Sequence, residues 1–326
     1  MSKPRITIVG LGLIGTSIGL ALNREQRDFE IIGHDKSSAA AGQAKKLQAV
    51  DKTEWNLINA CDGAGLVILA LPLGAIRDTM QALAGELATG ATVIDTASVK
   101  APVQTWADEL LPPSVAFVGT NPIVASDQTG AAAARADLFD GRSWAICPSP
   151  NTDERAVKTA SDLAARLGAK PLYLDATEHD GLTAAVEQLP ALTSMALLTS
   201  AVSQPVWREM RKLAGGQFES STRLVSADPH VFSDAMLYSP EQVVRWIDGF
   251  MDSMAAWRDL IAAGDRATLD EAFVEAAAAR DRWLSDRSKG NWDEDPTAPI
   301  ERPSMLASLF GVGRRSERRQ RDKKSQ

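Results

Sequence analysis

A glycine-rich turn near the start of the chain constrains the fold more than any other feature. Gly10, Gly12 and Gly15 have the spacing G-x-G-x-x-G, with a β-rich run at 6–9 before them and a helical stretch at about 14–23 after them. A second strand-like run leads to Asp35, twenty residues after Gly15. A strand, this turn, a helix and an acid at this distance are typical of a dinucleotide-binding βαβ unit.

Each glycine has a physical reason for its position. Gly10 allows the tight turn, Gly12 lets the backbone approach a pyrophosphate, and Gly15 lets the helix and the strand pack closely. The helix begins near Leu13 and Ile14, and its N-terminus offers unpaired N–H groups and the positive end of a dipole to the phosphates. The alternative is a glycine-rich turn in a Rossmann-like domain that binds nothing.

Asp35 predicts which dinucleotide is bound. Its carboxylate can accept hydrogen bonds from the ribose hydroxyls and would repel a 2′-phosphate, so the sequence favours NAD over NADP. Lys36 beside it weakens that preference. Leu71 and Pro72, at the end of a third strand, complete the predicted cofactor contacts.

The rest of the chain divides by composition into two further parts. Apolar strands that alternate with helices predict an α/β Rossmann domain over 1–175 with a parallel sheet buried on both faces; its later strands are expected at 65–72, 92–95, 115–119, 143–147 and 170–175. From 176 to 286 the pattern predicts an all-α domain, with helices at 182–201, 205–214, 230–238, 240–262 and 268–285. Residues 287–326 form a polar, proline-containing tail with a basic end and are expected to be disordered.

Composition excludes several classes of partner. The net charge of −7 and the pI near 5.2 give no reason to expect nucleic acid or an anionic membrane. No apolar run approaches the length of a membrane span, and no signal segment precedes the first strand. Cys61 and Cys147 lack the spacing of a metal site and fit a reducing compartment as buried thiols. We therefore expect a cytoplasmic protein without a metal.

Seven segments together resemble the prephenate and arogenate dehydrogenases. They occur in the order found in that family and extend over about residues 5–285: GLGLIGTSIGLAL, VILALPL (67–73), DTASVK (95–100), GTNPIVASDQTG (119–130), ADLFDGRSW (136–144), TEHD (177–180) and GGQFESSTR (215–223). The glycine turn alone is generic, whereas the later segments are specific. The resemblance implies NAD(P)-dependent oxidative decarboxylation of prephenate or arogenate on the route to tyrosine, and a helical domain that forms a homodimer.

The resemblance also implies roles for individual residues. Ser98 would hydrogen-bond the ring hydroxyl or the nicotinamide, and Arg223 would hold a substrate carboxylate, a role that suits the paired donors of a guanidinium. Capping of the following helix is the alternative for Ser98. An interhelical salt bridge is the alternative for Arg223.

Two departures from the family concern its histidines. Asn121 stands where the family has the histidine that accepts the hydroxyl proton, and an amide cannot take a proton near neutrality. Gln188 and Ala191 stand in the family's Ser-His-Leu-Pro-His element, where Gln188 is expected to contact the substrate in place of a histidine. Of the three histidines in the chain, His179 matches a family position lining the site and is the candidate base. A solvent-facing or capping histidine is the alternative.

Three functions follow from this pattern. The first is a dehydrogenase of the prephenate type that acts on prephenate or arogenate. The second keeps the fold and the cofactor with another cyclic or β-hydroxy carboxylate as substrate. The third is a catalytically weak NAD-binding homologue with a regulatory role. The missing histidines favour the second and the third functions. The sequence leaves open the choice between prephenate and arogenate, and whether tyrosine inhibits.

Overall fold

The N-terminal part of the chain is built on one sheet. The computed structural model describes residues 3–124, 128–226 and 229–289. In these residues eight strands join in the order β3-β2-β1-β4-β5-β6-β7-β8. The strands are β1 Arg5–Val9, β2 Glu30–His34, β3 Lys52–Thr53, β4 Leu66–Leu69, β5 Thr92–Asp95, β6 Ala116–Pro122, β7 Ser143–Cys147 and β8 Lys170–Tyr173.

Six helices cover the faces of this sheet. They are α1 Leu13–Leu22, α2 Ser38–Lys46, α3 Leu57–Cys61, α4 Leu73–Leu83, α5 Ala101–Leu110 and α6 Glu154–Arg166. Apolar strand residues pack on both sides, with Ile8, Ile68 and Ile94 in one core cluster and Val67 and Val93 in the other. This burial on both faces explains why the central strands are almost uniformly apolar. The predicted Rossmann fold is confirmed.

The sheet is not parallel throughout, which corrects the sequence prediction. Strand β7 runs antiparallel to β6, with Asn121 opposite Ala145, whereas the other neighbouring pairs are parallel. A parallel neighbour needs a crossover, usually an α-helix. Between β6 and β7 the described residues contain only a short 3₁₀ turn at Ala131–Ala133, so the chain returns in the opposite direction.

The first helix of the helical part begins at Ala176, earlier than the predicted start at residue 182. Helix α7, Ala176–Thr183, starts directly after Asp175, whose carboxylate accepts the backbone N–H groups of Thr177 and Glu178 at 2.8 and 3.1 Å. A π-helical segment, Ala184–Gln188, connects α7 to α8, Leu189–Val202. Pro190 explains this segment, because proline has no N–H and its ring clashes with the preceding turn of an α-helix.

The remaining helices are mostly those that the sequence predicts, and the structure adds one. They are α9 Trp207–Met210, α10 Gly216–Thr222, α11 Pro229–Tyr238, α12 Pro240–Ala263 and α13 Arg266–Lys289, with a 3₁₀ segment at Arg223–Ser226 between α10 and α11. Helix α10 has no counterpart in the prediction. Helix α13 extends past residue 286, where the tail was expected to begin.

Among the described residues, those up to Val243 form one compact unit, and those from Val244 form a second. In the second unit the rings of Trp257 and Phe273 pack with centroids 5.2 Å apart. Residues 125–127 of the segment 119–130, and the predicted tail from 290 onward, lie outside the described residues. No described helix is both long and apolar enough to span a membrane.

Candidate active site

The predicted site residues of the sheet follow the ends of its strands. The turn at Gly10 follows β1, Asp35 follows β2, Leu71 follows β4 and Ser98 follows β5, while Asn121 lies at the end of β6. These five strands are parallel, so the residues lie at one edge of the sheet. The crevice outside the carboxyl ends of the strands is where open α/β sheets bind ligands.

The three glycines of the turn have different surroundings. Gly10 has φ +97°, and a Cβ there would lie 2.2 Å from the carbonyl oxygen of Ala70; a Cβ on Gly15 would lie 1.9 Å from the carbonyl oxygen of Gly10. Around Gly12, by contrast, nothing lies within 4 Å of an added Cβ. Gly12 is the N-cap of α1, and no side chain caps this helix end. The backbone is therefore open to an anion at Gly12, whereas it is closely packed at Gly10 and Gly15.

Asp35 is held in place by two backbone groups. Its Oδ2 accepts the N–H of Leu11 at 2.7 Å and its Oδ1 accepts the N–H of Ser37 at 2.7 Å. The half-buried carboxylate thus links the glycine turn to the start of α2. A carboxylate oxygen has lone pairs for more than one donor, so Asp35 can also accept from a ribose.

Four further predicted cofactor residues lie beside the turn. Leu13 and Ile14 form the first turn of α1 and are half-buried. Leu71 is half-buried and the exposed Pro72 is the N-cap of α4. They border the crevice without a polar side chain, so their contribution would be apolar contact and backbone N–H groups.

A buried chain of hydrogen bonds joins the sheet to helix α7. Asn121 Nδ2 lies 3.2 Å from His179 Nε2, and His179 Nδ1 lies 3.0 Å from Asp180 Oδ1. The three residues are 5%, 1% and 2% exposed. The structure thus brings the predicted residues Asn121 and His179 together. A solvent-facing His179, one of the alternatives, is excluded by its burial.

Asp180 also holds the start of helix α5. Its Oδ1 accepts the backbone N–H of Lys100 at 2.6 Å, and its Oδ2 accepts that of Ala101 at 2.8 Å. These are donors that the first turn of a helix leaves without intrahelical partners. Asp180 therefore fulfils the capping role considered for Ser98, which is half-buried in the bend before the helix. The capping alternative for Ser98 is wrong.

A buried ion pair between Lys100 and Asp95 adjoins the Asn121–His179–Asp180 hydrogen bonds. The sequence analysis missed it. The Lys100 ammonium contacts the Asp95 carboxylate and donates to the carbonyl oxygen of Thr120 at 2.7 Å. Asp95 also accepts the N–H groups of Ala97 and Thr120, each at 3.0 Å. Both charged side chains are almost fully buried, and their partners satisfy the hydrogen bonding that such burial requires. The signal was present, because both residues lie in the segment DTASVK.

Gln188 and Arg223 lie in the helical part of the site. Gln188 is the last residue of the π segment and is 2% exposed; neither its Nε2 nor its Oε1 has a hydrogen-bond partner. Arg223 is exposed and begins the 3₁₀ segment, which packs against α8. The roles expected for Gln188 and Arg223 toward the substrate stay predictions.

Burial shifts the pKa of nearby acids and thiols. Removal from water raises the pKa of the half-buried Glu187 carboxyl above its ordinary value. Burial also raises the pKa of the Cys147 thiol to about 12, opposed by the Lys100 ammonium, and that of Cys61 to about 12. Both cysteines are thus structural rather than nucleophilic.

A second histidine, His34, lies at the end of β2. Its Nδ1 lies 2.9 Å from the carbonyl oxygen of Glu54, which ties the end of β2 to the loop after β3. His34 therefore lies beside Asp35, away from the Asn121–His179 pair. The fold and this edge together define a dinucleotide-binding α/β protein with a second polar site at the start of its helical part.

Comparison with protein families assigns the chain to a family. The model described as "Prephenate dehydrogenase, nucleotide-binding domain" matches residues 18–173, and that described as "Prephenate dehydrogenase, dimerization domain" matches residues 175–275. The chain belongs to the prephenate dehydrogenase family, which confirms the resemblance drawn from its motifs. It is a dehydrogenase of the prephenate type.

Curated relatives agree with this assignment. A prephenate dehydrogenase of Bacillus subtilis is 29% identical over 290 residues, which cover 88% of this chain and 78% of the relative. A cyclohexadienyl dehydrogenase of Zymomonas mobilis is 28% identical over 278 residues, which cover 84% of this chain and 94% of the relative.

Solved structures confirm the fold class. The prephenate dehydrogenase of Aquifex aeolicus, in complex with hydroxyphenyl propionate and NAD⁺, has a TM-score of 0.80 and 26% identity over 86% of this chain and 99% of its own. The arogenate dehydrogenase of Synechocystis shares the fold, with a TM-score of 0.74 and 24% identity over 86% of this chain and 99% of its own. A Rossmann-like domain followed by a helical domain is thus common to both.

Proposed function

We propose that the protein oxidatively decarboxylates a cyclohexadienyl carboxylate, prephenate or arogenate, on the route to tyrosine, with NAD as its cofactor. Relatives named for prephenate and cyclohexadienyl substrates support this substrate class. The observation that carries the proposal is the buried chain from Asp180 through His179 to Asn121. It supplies a histidine beside the one position where the family's proton acceptor is missing.

The residues at the sheet edge fit the cofactor. Gly12 and the uncapped N-terminus of α1 would hold the pyrophosphate, and Asp35 would hold the ribose hydroxyls. The negative charge of Asp35 disfavours a 2′-phosphate, which makes NADP the poorer cofactor. When bound, NAD supplies the acceptor for the hydride that leaves the ring carbon.

His179 takes the proton of the substrate hydroxyl in this proposal. Asp180 accepts the Nδ1–H of the ring, which leaves the lone pair of Nε2 toward Asn121. The Asn121 amide donates to Nε2, and a rotation of this amide would free Nε2 for the substrate hydroxyl. Loss of carbon dioxide then makes the ring aromatic.

The other predicted residues bind the substrate. Ser98, in the bend between β5 and α5, would hydrogen-bond the ring hydroxyl or the nicotinamide. Arg223 would hold a carboxylate with two parallel N–H donors. Gln188 would contact the substrate from the start of α8. The helical domain would pair with that of a second chain in a homodimer, in line with the match to a dimerization domain.

The first test measures NADH formation by the purified protein with prephenate and with arogenate, each with NAD and NADP. Turnover with NAD and one of the two substrates is the expected result. The same experiment distinguishes this function from the two alternatives, another carboxylate substrate and a regulatory NAD-binding protein. Binding of NADH without turnover of either substrate would favour a changed substrate or a regulatory homologue, the alternatives that Asn121 supports.

The second test replaces the proposed base. His179→Ala is expected to lower kcat by about 10²–10⁴-fold, the usual effect of removing a positioned base. NADH affinity, measured by fluorescence titration, is expected to stay unchanged, since no described hydrogen bond joins His179 to the glycine turn. Ser98→Ala serves as the comparison, because it removes a hydroxyl without removing a proton acceptor. Unchanged kcat in the His179 variant would refute its role.

A further inference from the structure

The side chain of Gln188 is buried without any hydrogen-bond partner. It is 2% exposed, and both the amide nitrogen and the amide oxygen lack a partner. Buried amides are nearly always hydrogen-bonded, because an unpaired donor or acceptor loses its water without replacement. Gln188 thus has two unmet requirements, one for an acceptor and one for a donor.

The local backbone accounts for this burial. Gln188 closes the π segment that Pro190 imposes between α7 and α8, and π segments occur frequently at functional sites. The segment packs against α7, α8 and α11. Helix α7 carries His179, so Gln188 lies on the same helical run as the proposed base. The amide therefore lies in the interior of the helical part, nine residues after the proposed base along that run.

We propose that Gln188 binds the α-amino acid end of the substrate and makes arogenate the preferred substrate over prephenate. This inference rests on the proposed function, since it assigns a partner within the same site. The amide N–H donates to the substrate carboxylate, and the amide oxygen accepts from the substrate ammonium. The amino acid end of the substrate thus provides a hydrogen-bond partner for both the amide nitrogen and the amide oxygen of Gln188.

The chemistry of the two candidate substrates separates them at this residue. The side chain of prephenate ends in a keto acid, which offers only acceptors and would leave Oε1 of Gln188 unpaired. The ring carboxylate, common to both, has the same deficiency. A site with an unpaired buried group discriminates against the substrate that cannot satisfy it. We expect kcat/KM for arogenate to exceed that for prephenate by about 10–100-fold.

The test compares the two substrates in the wild-type protein and in Gln188→Leu. The variant removes both amide groups at similar volume, so kcat/KM for arogenate is expected to fall by about 10–100-fold and that for prephenate by less than about 3-fold. Its Tm is expected to rise, because the unpaired amide is gone. A merely structural glutamine would not give this combination. Gln204→Leu, an exposed glutamine just after α8, is the matched control.

A second measurement keeps the proposal testable whatever the activity. L-tyrosine, with an amino acid end, and hydroxyphenyl propionate, with a carboxylate alone, are titrated into the protein with NADH bound. Gln188→Leu is expected to weaken the binding of tyrosine by about 10-fold and to leave the affinity for hydroxyphenyl propionate unchanged. Gln188→Met replaces it should the leucine variant not fold.

The outcomes separate this inference from the proposed function. Two outcomes overturn the inference alone. One is a higher kcat/KM for prephenate than for arogenate in the wild-type protein. The other is a ratio of the two kcat/KM values that Gln188→Leu leaves unchanged. Absence of turnover with either substrate overturns the proposed function. In that case equal binding of tyrosine by wild type and variant would overturn the inference as well.

Discussion

Asp35 has a structural task as well as its proposed role toward the cofactor. Its carboxylate accepts the N–H groups of Leu11 and Ser37, so it fixes the glycine turn against the start of α2. Hydrogen bonds to an ionised carboxylate are stronger than those between neutral groups. Substitution at this position therefore affects both the geometry of the turn and the charge that a ribose meets.

A substitution of Asp35 tests the preference for NAD. In Asp35→Asn one oxygen remains for a backbone N–H, while the negative charge is lost. Affinity for NADH is expected to fall by about 10-fold and affinity for NADPH to change little or rise, which narrows the difference between them. Fluorescence titration with both cofactors measures this. Asp62→Asn, at an exposed acid, is the control, and an undiminished preference for NADH would contradict the assignment.

The raised pKa of Glu187 predicts how stability depends on pH. Burial raises this pKa, so the folded protein holds the proton more tightly than the unfolded chain. The corresponding stability is complete below the pH at which an ordinary glutamate titrates, and it is lost as pH rises through the raised pKa. Glu187→Gln should therefore have a higher Tm than wild type near neutral pH, with the difference shrinking in acid.

Thermal unfolding followed between about pH 4 and pH 8 checks this prediction for Glu187. Glu86→Gln, at an exposed glutamate, is the control and is expected to follow the wild-type curve throughout. A Glu187→Gln curve parallel to that of wild type would show that the burial of this carboxyl has no energetic consequence.

Sequence spacing predicted the site residues that belong to one local pattern, but it did not predict contacts between distant parts of the chain. Gly10 and Asp35 belong to a local pattern, because the chain within one βαβ unit fixes their relation. Asp180 caps a helix that begins 79 residues earlier in the chain. Its partners depend on how the helical part packs on the sheet, and no local pattern contains that information.

At the scale of elements, buried strands were predictable and their direction was not. Strands β5 and β7 have the predicted bounds, because the inner positions of a strand that is buried on both faces are apolar. An apolar stretch does not indicate strand direction, so the pattern predicts a parallel β7, whereas β7 runs antiparallel to β6. Strand β3 is only two residues long and gives no pattern to detect.

The turn between β1 and α1 offers a matched series of glycine substitutions. Gly12→Ala is expected to fold normally and to weaken NADH binding by at least about 10-fold, because only the bound pyrophosphate would meet its Cβ. Gly15→Ala would place a Cβ 1.9 Å from the carbonyl oxygen of Gly10, so it must separate α1 from β1 and lower the Tm.

Gly42→Ala is the control for this series. Gly42 lies in α2 with no atom within 4 Å of an added Cβ, and alanine there is expected to stabilise the protein by about 0.5–1 kcal/mol. Thermal unfolding and NADH titration of all three variants separate the two effects. Equal NADH affinity in Gly12→Ala and wild type would remove the turn from the cofactor site.

At the scale of the whole molecule, exposed apolar side chains on α7 and the π segment offer an interface for the proposed homodimer. Leu182 and Val186, four residues apart in α7 and the π segment, are 49% and 71% exposed. Single apolar residues are common on protein surfaces, whereas a group of them marks an interface. Leu197 and Val202 on the adjoining α8 are also more than 40% exposed, at 42% and 41%.

Light scattering during size-exclusion chromatography tests this assembly. We expect the wild-type protein to have a mass of about 70 kDa, twice the 34.9 kDa of one chain. Leu182→Asp combined with Val186→Asp should reduce the mass to that of one chain, because two carboxylates would lose their water in an apolar interface. Ile58→Asp, at a 39% exposed isoleucine of α3, should leave the dimer intact. A monomeric wild type, or a double variant that stays dimeric, would place the interface elsewhere or exclude it.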